Sequence, residues 1–279
     1  MKRKIEFLEA SGTKVAFASP SYKRPLCRTA HYIPETRVYV DPSEYDDYVK
    51  ANGGFGEIVA CDEGIQGNLP RVRNYILDKE FERGADIVVM MDDDVTALAT
   101  YKPNEKGYGY CRNKLDAEAV REFVIYGSQI CKDWGFGMWG VNYNQDPLLY
   151  KHYQPFSTTK AAVGQFMVFV ENELRFDESL PLKEDYDMAV QQMNRYRGVL
   201  LINWAHVNAD FGELAGGTSV RRNFEREKEQ FFKFRKKWGS EIVKDVNRVR
   251  GQGGSRMDGS FLGKYDFSHP VVRTPIKGI

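Results

Sequence analysis

Apolar runs of four to six residues, each closed by a turn-forming segment, alternate with longer stretches of helical period along most of the chain. Val15-Ala16-Phe17-Ala18 reads as a short buried strand ended by Ser19-Pro20-Ser21 and the basic turn Tyr22-Lys23-Arg24-Pro25. Arg37 to Val40 is a second strand, followed by Asp41-Pro42-Ser43-Glu44, where Ser43 is positioned to cap a helix running through Lys50. A third strand, Glu57 to Cys61, runs into Asp62-Glu63-Gly64. Leu69 to Arg83 then brings Val72, Ile76, Leu77 and Phe81 onto one helical face, with Gly84 as the stop. Ile87 to Met91 is the fourth strand. Past Ala99 comes a Gly- and Tyr-rich stretch, Tyr101 to Tyr110, then a helical pattern from Asp116 to Trp134. Gly135 to Val141 and Gln165 to Val170 are further strands, and Leu180 to Asp185 opens another helix. Val199 to Trp204 is a late strand with His206 just beyond it. Strands alternating with helices in this order predict a parallel sheet covered by helices.

Ligands of such sheets gather at the carboxyl ends of the strands. Ser19 to Arg24, Asp62-Glu63 and Asp92-Asp93-Asp94 all fall at such ends, so one cleft can hold all three groups. Adjacent acids at a strand end repel one another, and a hard divalent cation with oxygen ligands offsets that cost, above all when it also holds phosphates. An Asp-x-Asp pattern therefore implies a metal and a phosphorylated donor; the same three acids also have the composition of a solvated turn. Glu184, Asp185 and Asp187 crowd the first turn of a helix, where acids suit the helix dipole.

The 279 residues suffice for a large α/β domain with a sizeable core, and 42% hydrophobic with 28% charged residues is ordinary for a soluble protein. No apolar run approaches the ~18 residues that suggest a membrane span, and Met1 to Glu6 does not lead into the apolar core of a signal peptide, so a cytoplasmic location is expected. Cys27, Cys61, Cys111 and Cys131 are too irregularly spaced for a zinc motif or a disulfide framework, which leaves buried free thiols. The net charge of +1 conceals an asymmetry: Arg221 to Arg256 carries twelve Lys/Arg against five Asp/Glu.

Several of these segments, in this order, resemble the GT-A fold glycosyltransferases, the nucleotide-diphospho-sugar transferases. Gly67-Asn68-Leu69-Pro70-Arg71-Val72-Arg73-Asn74 resembles their helix-opening Gly…Ala-Arg-Asn element, and Ala85 to Asp94 resembles their strand ending in Asp-x-Asp. Glu184-Asp185 resembles the downstream Glu-Asp pair, and His206 the late histidine that often completes the metal site. The resemblance spans roughly residues 13 to 210. Within the superfamily, Ser19 to Pro25, the long spacing to Leu182-Lys183-Glu184-Asp185-Tyr186-Asp187 and the basic C-terminal part look most like the TET-associated glycosyltransferases. That group includes the base J glucosyltransferases, which act on hydroxymethylated pyrimidines in DNA.

The resemblance implies an α/β GT-A (Rossmann-like) fold, with a mixed, mainly parallel sheet flanked by helices and a helical basic C-terminal extension. Residues 1–214 would form the transferase domain, with a lid segment, basic helix and tail from 215–279 packed on it. It implies a metal-dependent inverting hexosyltransferase using Mn2+ or Mg2+ and a UDP-sugar. Asp94 would bind the metal directly, Asp92 the metal or the ribose, and His206 would be a further ligand, with Asp93 facing the donor sugar or ribose. Ser19, Pro20, Tyr22, Arg24 and Asp62 would recognise the nucleoside, while Arg73 and Asn74 would reach the diphosphate or the donor sugar. An acceptor hydroxyl needs a carboxylate to take its proton, a role that falls to Asp185 with Glu184 orienting acceptor or donor. Gly216 to Arg222 has the glycines and arginines of a lid over the diphosphate. Beyond it, cations interleaved with Phe224, Phe231, Phe232, Phe234 and Trp238 suit phosphates and an extruded base, the acceptor being DNA with hydroxymethylated pyrimidines. Aromatics at helical spacing equally form core. A saccharide, lipid-carrier or protein hydroxyl as acceptor, or a non-catalytic nucleic-acid binder with a degenerate transferase fold, are the alternatives.

Overall fold

The first four apolar runs form strands β1 (Val15–Pro20), β2 (Arg37–Val40), β3 (Glu57–Ala60) and β4 (Ile87–Met91). In the computed structural model, which describes residues 12–105, 109–162, 164–210, 222–244, 247–248 and 265–273, they lie parallel in the order β3-β2-β1-β4. Helices α1 (Arg28–Tyr32), α2 (Tyr45–Asn52) and α3 (Leu69–Glu82) connect them. The Asn68 side chain caps α3 by accepting from the Arg71 amide, Pro70 occupies its first turn, and Gly84 at φ +83° supplies the left-handed conformation that ends it. Ser43 is not the cap of α2. It lies in a short 3-10 turn, Pro42–Glu44, in which the Asp41 carboxylate accepts from its amide at 2.9 Å, because the carboxylate two residues earlier reaches that N–H first.

Beyond β4 the uniform direction is lost. β9 (Phe166–Val170) runs antiparallel between β4 and β7 (Met138–Asn142), while β10 (Leu200–Ala209) is parallel to β7. β10 then pairs antiparallel with β5 (Val95–Pro103), β5 with β6 (Tyr110–Lys114), and the short β8 (Phe156–Ser157) with β10. The sheet is therefore mixed and flanked by helices, with β5, β8 and β9 reversed against the rest. Direction is invisible in the composition of β9, since a strand buried on both faces reads as the same apolar run either way. The β5–β6 hairpin lies where sequence reading finds only a Gly- and Tyr-rich stretch.

Side chains of alternate parity build two cores. On one face Phe17, Val89, Met91, Leu98, Val168 and Val207 pack with Val120, Phe123 and Val124 of α4 (Ala117–Asp133). On the other, Val88, Met90, Met167, Phe169 and Leu201 pack with Val72, Ile76 and Leu77 of α3 and Met188, Ala189 and Met193 of α5 (Glu184–Tyr196). Helix α6 (Phe224–Trp238) adds a third cluster, in which Phe231 and Phe234 meet Leu180, Val190, Val243 and Phe267. Two polar links tie α6 to the start of α5: a fully buried ion pair joins Lys183 to Glu227, and buried Asp187 accepts from Lys237 at 2.9 Å and Trp238 Nε1 at 2.7 Å. The four cysteines are free, three of them buried, and no helix among the described residues is long and apolar enough to cross a membrane. The proposed lid residues 216–221 lie outside the described residues.

Helix α4 meets the sheet at Gly127, where an added Cβ would stand 2.6 Å from the ring of Trp139. That indole is fully buried and donates to Ser128 Oγ at 3.0 Å, so it has no room to retreat. Gly127→Ala is expected to destabilise the fold by about 1–3 kcal/mol through overpacking, measured as a lower urea midpoint with an unchanged slope.

Candidate active site

The carboxyl ends of β1, β4 and β10 meet at one edge of the sheet, and three acids emerge there in succession. Asp92 is the most exposed and receives Arg73 Nη2 at 2.9 Å. Asp93 turns inward: its carboxylate accepts from Ser21 Oγ and, at 2.6 Å, from Arg24, while Ser21 also bonds Tyr48 at 2.8 Å. Its side chain thus anchors the loop after β1. Asp94 is buried, with Arg24 at 3.4 Å from one oxygen and no hydrogen bond to the other. Helix α1 fixes the backbone of the triplet through Thr29, whose amide donates to Asp93 O at 3.3 Å and whose hydroxyl accepts from the Val95 amide at 3.0 Å.

A second acidic group faces the first across Arg73. This guanidinium is buried on α3, spans Asp92 and Glu184 (3.1 Å), and lies over the Phe176 ring at 5.6 Å. Both terminal nitrogens therefore serve carboxylates. Of the acids in the first turn of α5, Asp187 belongs to the α6 junction and Glu184 to Arg73. Asp185 remains partly exposed, aimed by the Gly164 amide at 3.1 Å and the Tyr186 amide at 2.7 Å. Burial, then repulsion from Asp185, push the Glu184 carboxyl up to about 7 against the pull of Arg73.

The remaining expected residues divide. Ser19 and Pro20 are buried in β1, Tyr22 and Arg24 lie in the loop beyond it, and Asp62 is exposed at the end of β3. Asn74 is committed elsewhere, its amide exchanging hydrogen bonds of 2.7 and 2.9 Å with the Phe176 backbone. His206 is not gathered with Asp92 and Asp94. Strand β10 continues five residues past Trp204, so His206 lies within it, opposite Ala99, fully buried with its ring 5.0 Å from that of Tyr101. Neither imidazole nitrogen makes a well-formed hydrogen bond, although the Val207 backbone and the Asn208 side chain lie beside it. The residue that does stand at the end of β10 is Asp210, whose amide donates to Asp94 O at 3.1 Å and whose carboxylate meets Arg28 at 2.8 Å. Extending the apolar pattern from Leu200 to Ala209 is the signal that finds it. On α6, the buried Phe231 and Phe234 belong to the core and offer no surface for a base.

The acidic edge suits a hard cation. Asp94 has a buried carboxylate oxygen without a hydrogen bond, beside two further acids, and Asp92 is open to solvent on the same edge. Among the described residues no three His, Cys, Asp or Glu side chains converge closely enough to hold an ion alone. Asp92 and Asp94 would thus provide a two-carboxylate seat, with phosphate oxygens and water completing it as hard cations prefer.

No family model matches the chain, and none of the curated proteins does. Among solved structures it is similar to glucosyl-3-phosphoglycerate synthase from Mycobacterium tuberculosis. One crystal structure of that enzyme with Mn2+, UDP-glucose and phosphoglyceric acid aligns at 10% identity over 86% of this chain and 84% of that one, TM-score 0.48. A second such crystal aligns at 11% identity over 95% and 89%, TM-score 0.47. With identities so low and scores under 0.5, the chemistry of this site is decided by its own geometry.

Burial, then repulsion from Asp92 and Asp93, raise the Asp94 carboxyl to about 7. A cation bound there must displace that proton below pH 7 and not above it. Mn2+ is expected to bind about tenfold more weakly at pH 6 than at pH 8, and Asp94→Asn should bind it weakly at both, as read by titration calorimetry.

Proposed function

We propose that this chain is a metal-assisted, inverting glycosyltransferase that moves a hexose, glucose from UDP-glucose, onto an acceptor hydroxyl. The observation that carries this reading is the buried Arg73 bridge between Asp92 and Glu184, which ties a cation-suited acidic edge to a second carboxylate group on α5. A nucleotide-sugar transferase needs both groups at once: one side neutralises a leaving diphosphate, the other takes a proton from the attacking hydroxyl.

Asp185 is the base in this reading. Its carboxylate is partly exposed, oriented by two backbone amides and free of a salt bridge among the described contacts. The acceptor oxygen attacks the anomeric carbon, the bond from that carbon to the diphosphate oxygen breaks with its electron pair, and the hydroxyl proton passes to Asp185. Configuration inverts in this single displacement. Glu184, held by Arg73, orients the sugar from the neighbouring position. A divalent cation on Asp92 and Asp94 would supply charge neutralisation for the departing diphosphate. The loop after β1, with Tyr22 and Arg24, and Asp62 at the end of β3 line the same edge for the nucleoside.

The acceptor in this reading is a hydroxymethylated pyrimidine in DNA. Its support is the resemblance in sequence together with the exposed cations Arg226, Lys228, Lys233 and Lys236 along α6.

Asp185→Asn is expected to lower the transfer rate about 10²- to 10⁴-fold while leaving the affinity for UDP-glucose nearly unchanged; full transfer by this variant would remove Asp185 from the role. For the acceptor, wild-type protein with Mn2+, UDP-glucose and DNA containing 5-hydroxymethylcytosine or 5-hydroxymethyluracil should give a hexosyl nucleoside by mass. UDP release without any modified nucleoside would leave the donor chemistry standing and reject DNA.

A further inference from the structure

The β5–β6 hairpin and the segment after β7 build an aromatic cluster that the donor chemistry does not use. Tyr101 and Tyr150 stack with centroids 5.1 Å apart and planes at 20°, and Tyr101 also packs on His206. Tyr110 meets Tyr150 edge-on at 4.8 Å. The series of rings continues through His152, 6.4 Å from Tyr110, to Tyr153, which is 66% exposed. Cations line the same two segments: Lys102, Arg112 and Lys151 are all exposed. The described acids there are Glu105 and Asp146, and the Asp146 carboxylate is engaged by the Leu148 amide at 2.9 Å.

Register fixes where this cluster stands. Ala99 pairs with His206 and Tyr101 with Arg112, so His206, Tyr101 and Arg112 share one sheet face. Ala205 and Val207 belong to the α4 core, which leaves His206 on the face that α3 and α5 cover. Asp210 follows four residues later at the acidic edge, roughly 13 Å along an extended strand. At the base of the cluster His206 is fully buried beside the Val207 backbone and the Asn208 side chain, so it supports Tyr101 from beneath.

We propose that this cluster is the acceptor-side platform on which an unpaired nucleic-acid base stacks, with Arg112 and Lys151 meeting the flanking phosphates. Aromatic faces beside a track of cations are what single-stranded nucleic acid requires, because every base has a face to stack and every linkage carries a charge. A neutral saccharide also packs on aromatic faces but has nothing for the two cations to neutralise. The role rests on the nucleic-acid acceptor reading above, and it adds the hairpin to the α6 cations as the surface that meets nucleic acid.

The full-length protein is titrated at two salt concentrations with a fluorescein-labelled single-stranded oligonucleotide, and separately with a labelled oligosaccharide. The double variant His152→Ala/Tyr153→Ala, whose positions are exposed, is expected to bind the oligonucleotide about tenfold more weakly or worse. Arg112→Gln should lower the salt slope by about one, whereas Tyr45→Ala, an exposed ring on α2, should change neither. Unchanged oligonucleotide affinity in the double variant, or salt-insensitive binding with preference for the oligosaccharide, overturns the platform. UDP release from UDP-glucose by the wild type is followed in parallel. Ring-dependent oligonucleotide binding without UDP release keeps the platform and removes the transferase reading, and the converse removes the platform alone.

Discussion

A single buried guanidinium holds the site together. Arg73 leaves α3 to reach Asp92 on one side and Glu184 on the other, two acids that are far apart in sequence and belong to different elements. Without it Asp92 and Glu184 would each lose the cation that lies between them, at an edge that also carries Asp93, Asp94 and Asp185. Removing one partner of a buried ion pair is costly because the charge left behind has no solvent to answer it. The same cation sets the spacing between the two acidic groups, so it serves geometry as well as stability. Its aliphatic and planar parts are fixed by Phe176, which Asn74 in turn pins through two backbone hydrogen bonds.

Around that bridge the supporting contacts come from distant parts of the chain. Thr29 holds the backbone of the aspartate triplet, Arg24 and Ser21 hold Asp93, with Ser21 itself bonded to Tyr48, and α6 holds the start of α5 from two directions through Glu227 and Lys237. Fully buried ion pairs are poor sources of net stability but strong constraints on geometry, since few arrangements satisfy both charges. The first turn of α5, which presents Asp185, is thus held by α6 as well as by the sheet beneath it.

Much of this was legible in the order of residues. The first four strands, α3 with its Gly84 stop, α4 and the acids at the strand ends all follow from local pattern, because buried strands and amphipathic helices carry their own period. Three features did not. The direction of β9 leaves no trace in an apolar run. The β5–β6 hairpin is hard to read because β6, Tyr110 to Lys114, carries no β-branched residue and only polar or half-buried positions. The true end of β10 lies beyond Trp204, because polar residues such as Asn203, His206 and Asn208 interrupt the run, and so His206 was expected at the edge that Asp210 occupies. Side-chain roles were less legible still: Asn74 and Asp93 have the residue types of ligand contacts, and only long-range partners show that each holds the scaffold.

The central claim is that the acidic edge binds a diphosphate through a divalent cation. Titration calorimetry of UDP into the wild-type protein, first with Mn2+ and then after chelation, tests it most directly. Saturable UDP binding that requires the cation and is lost in Asp94→Asn is the predicted result; UDP binding equally well without the cation, or not binding in its presence, would contradict it.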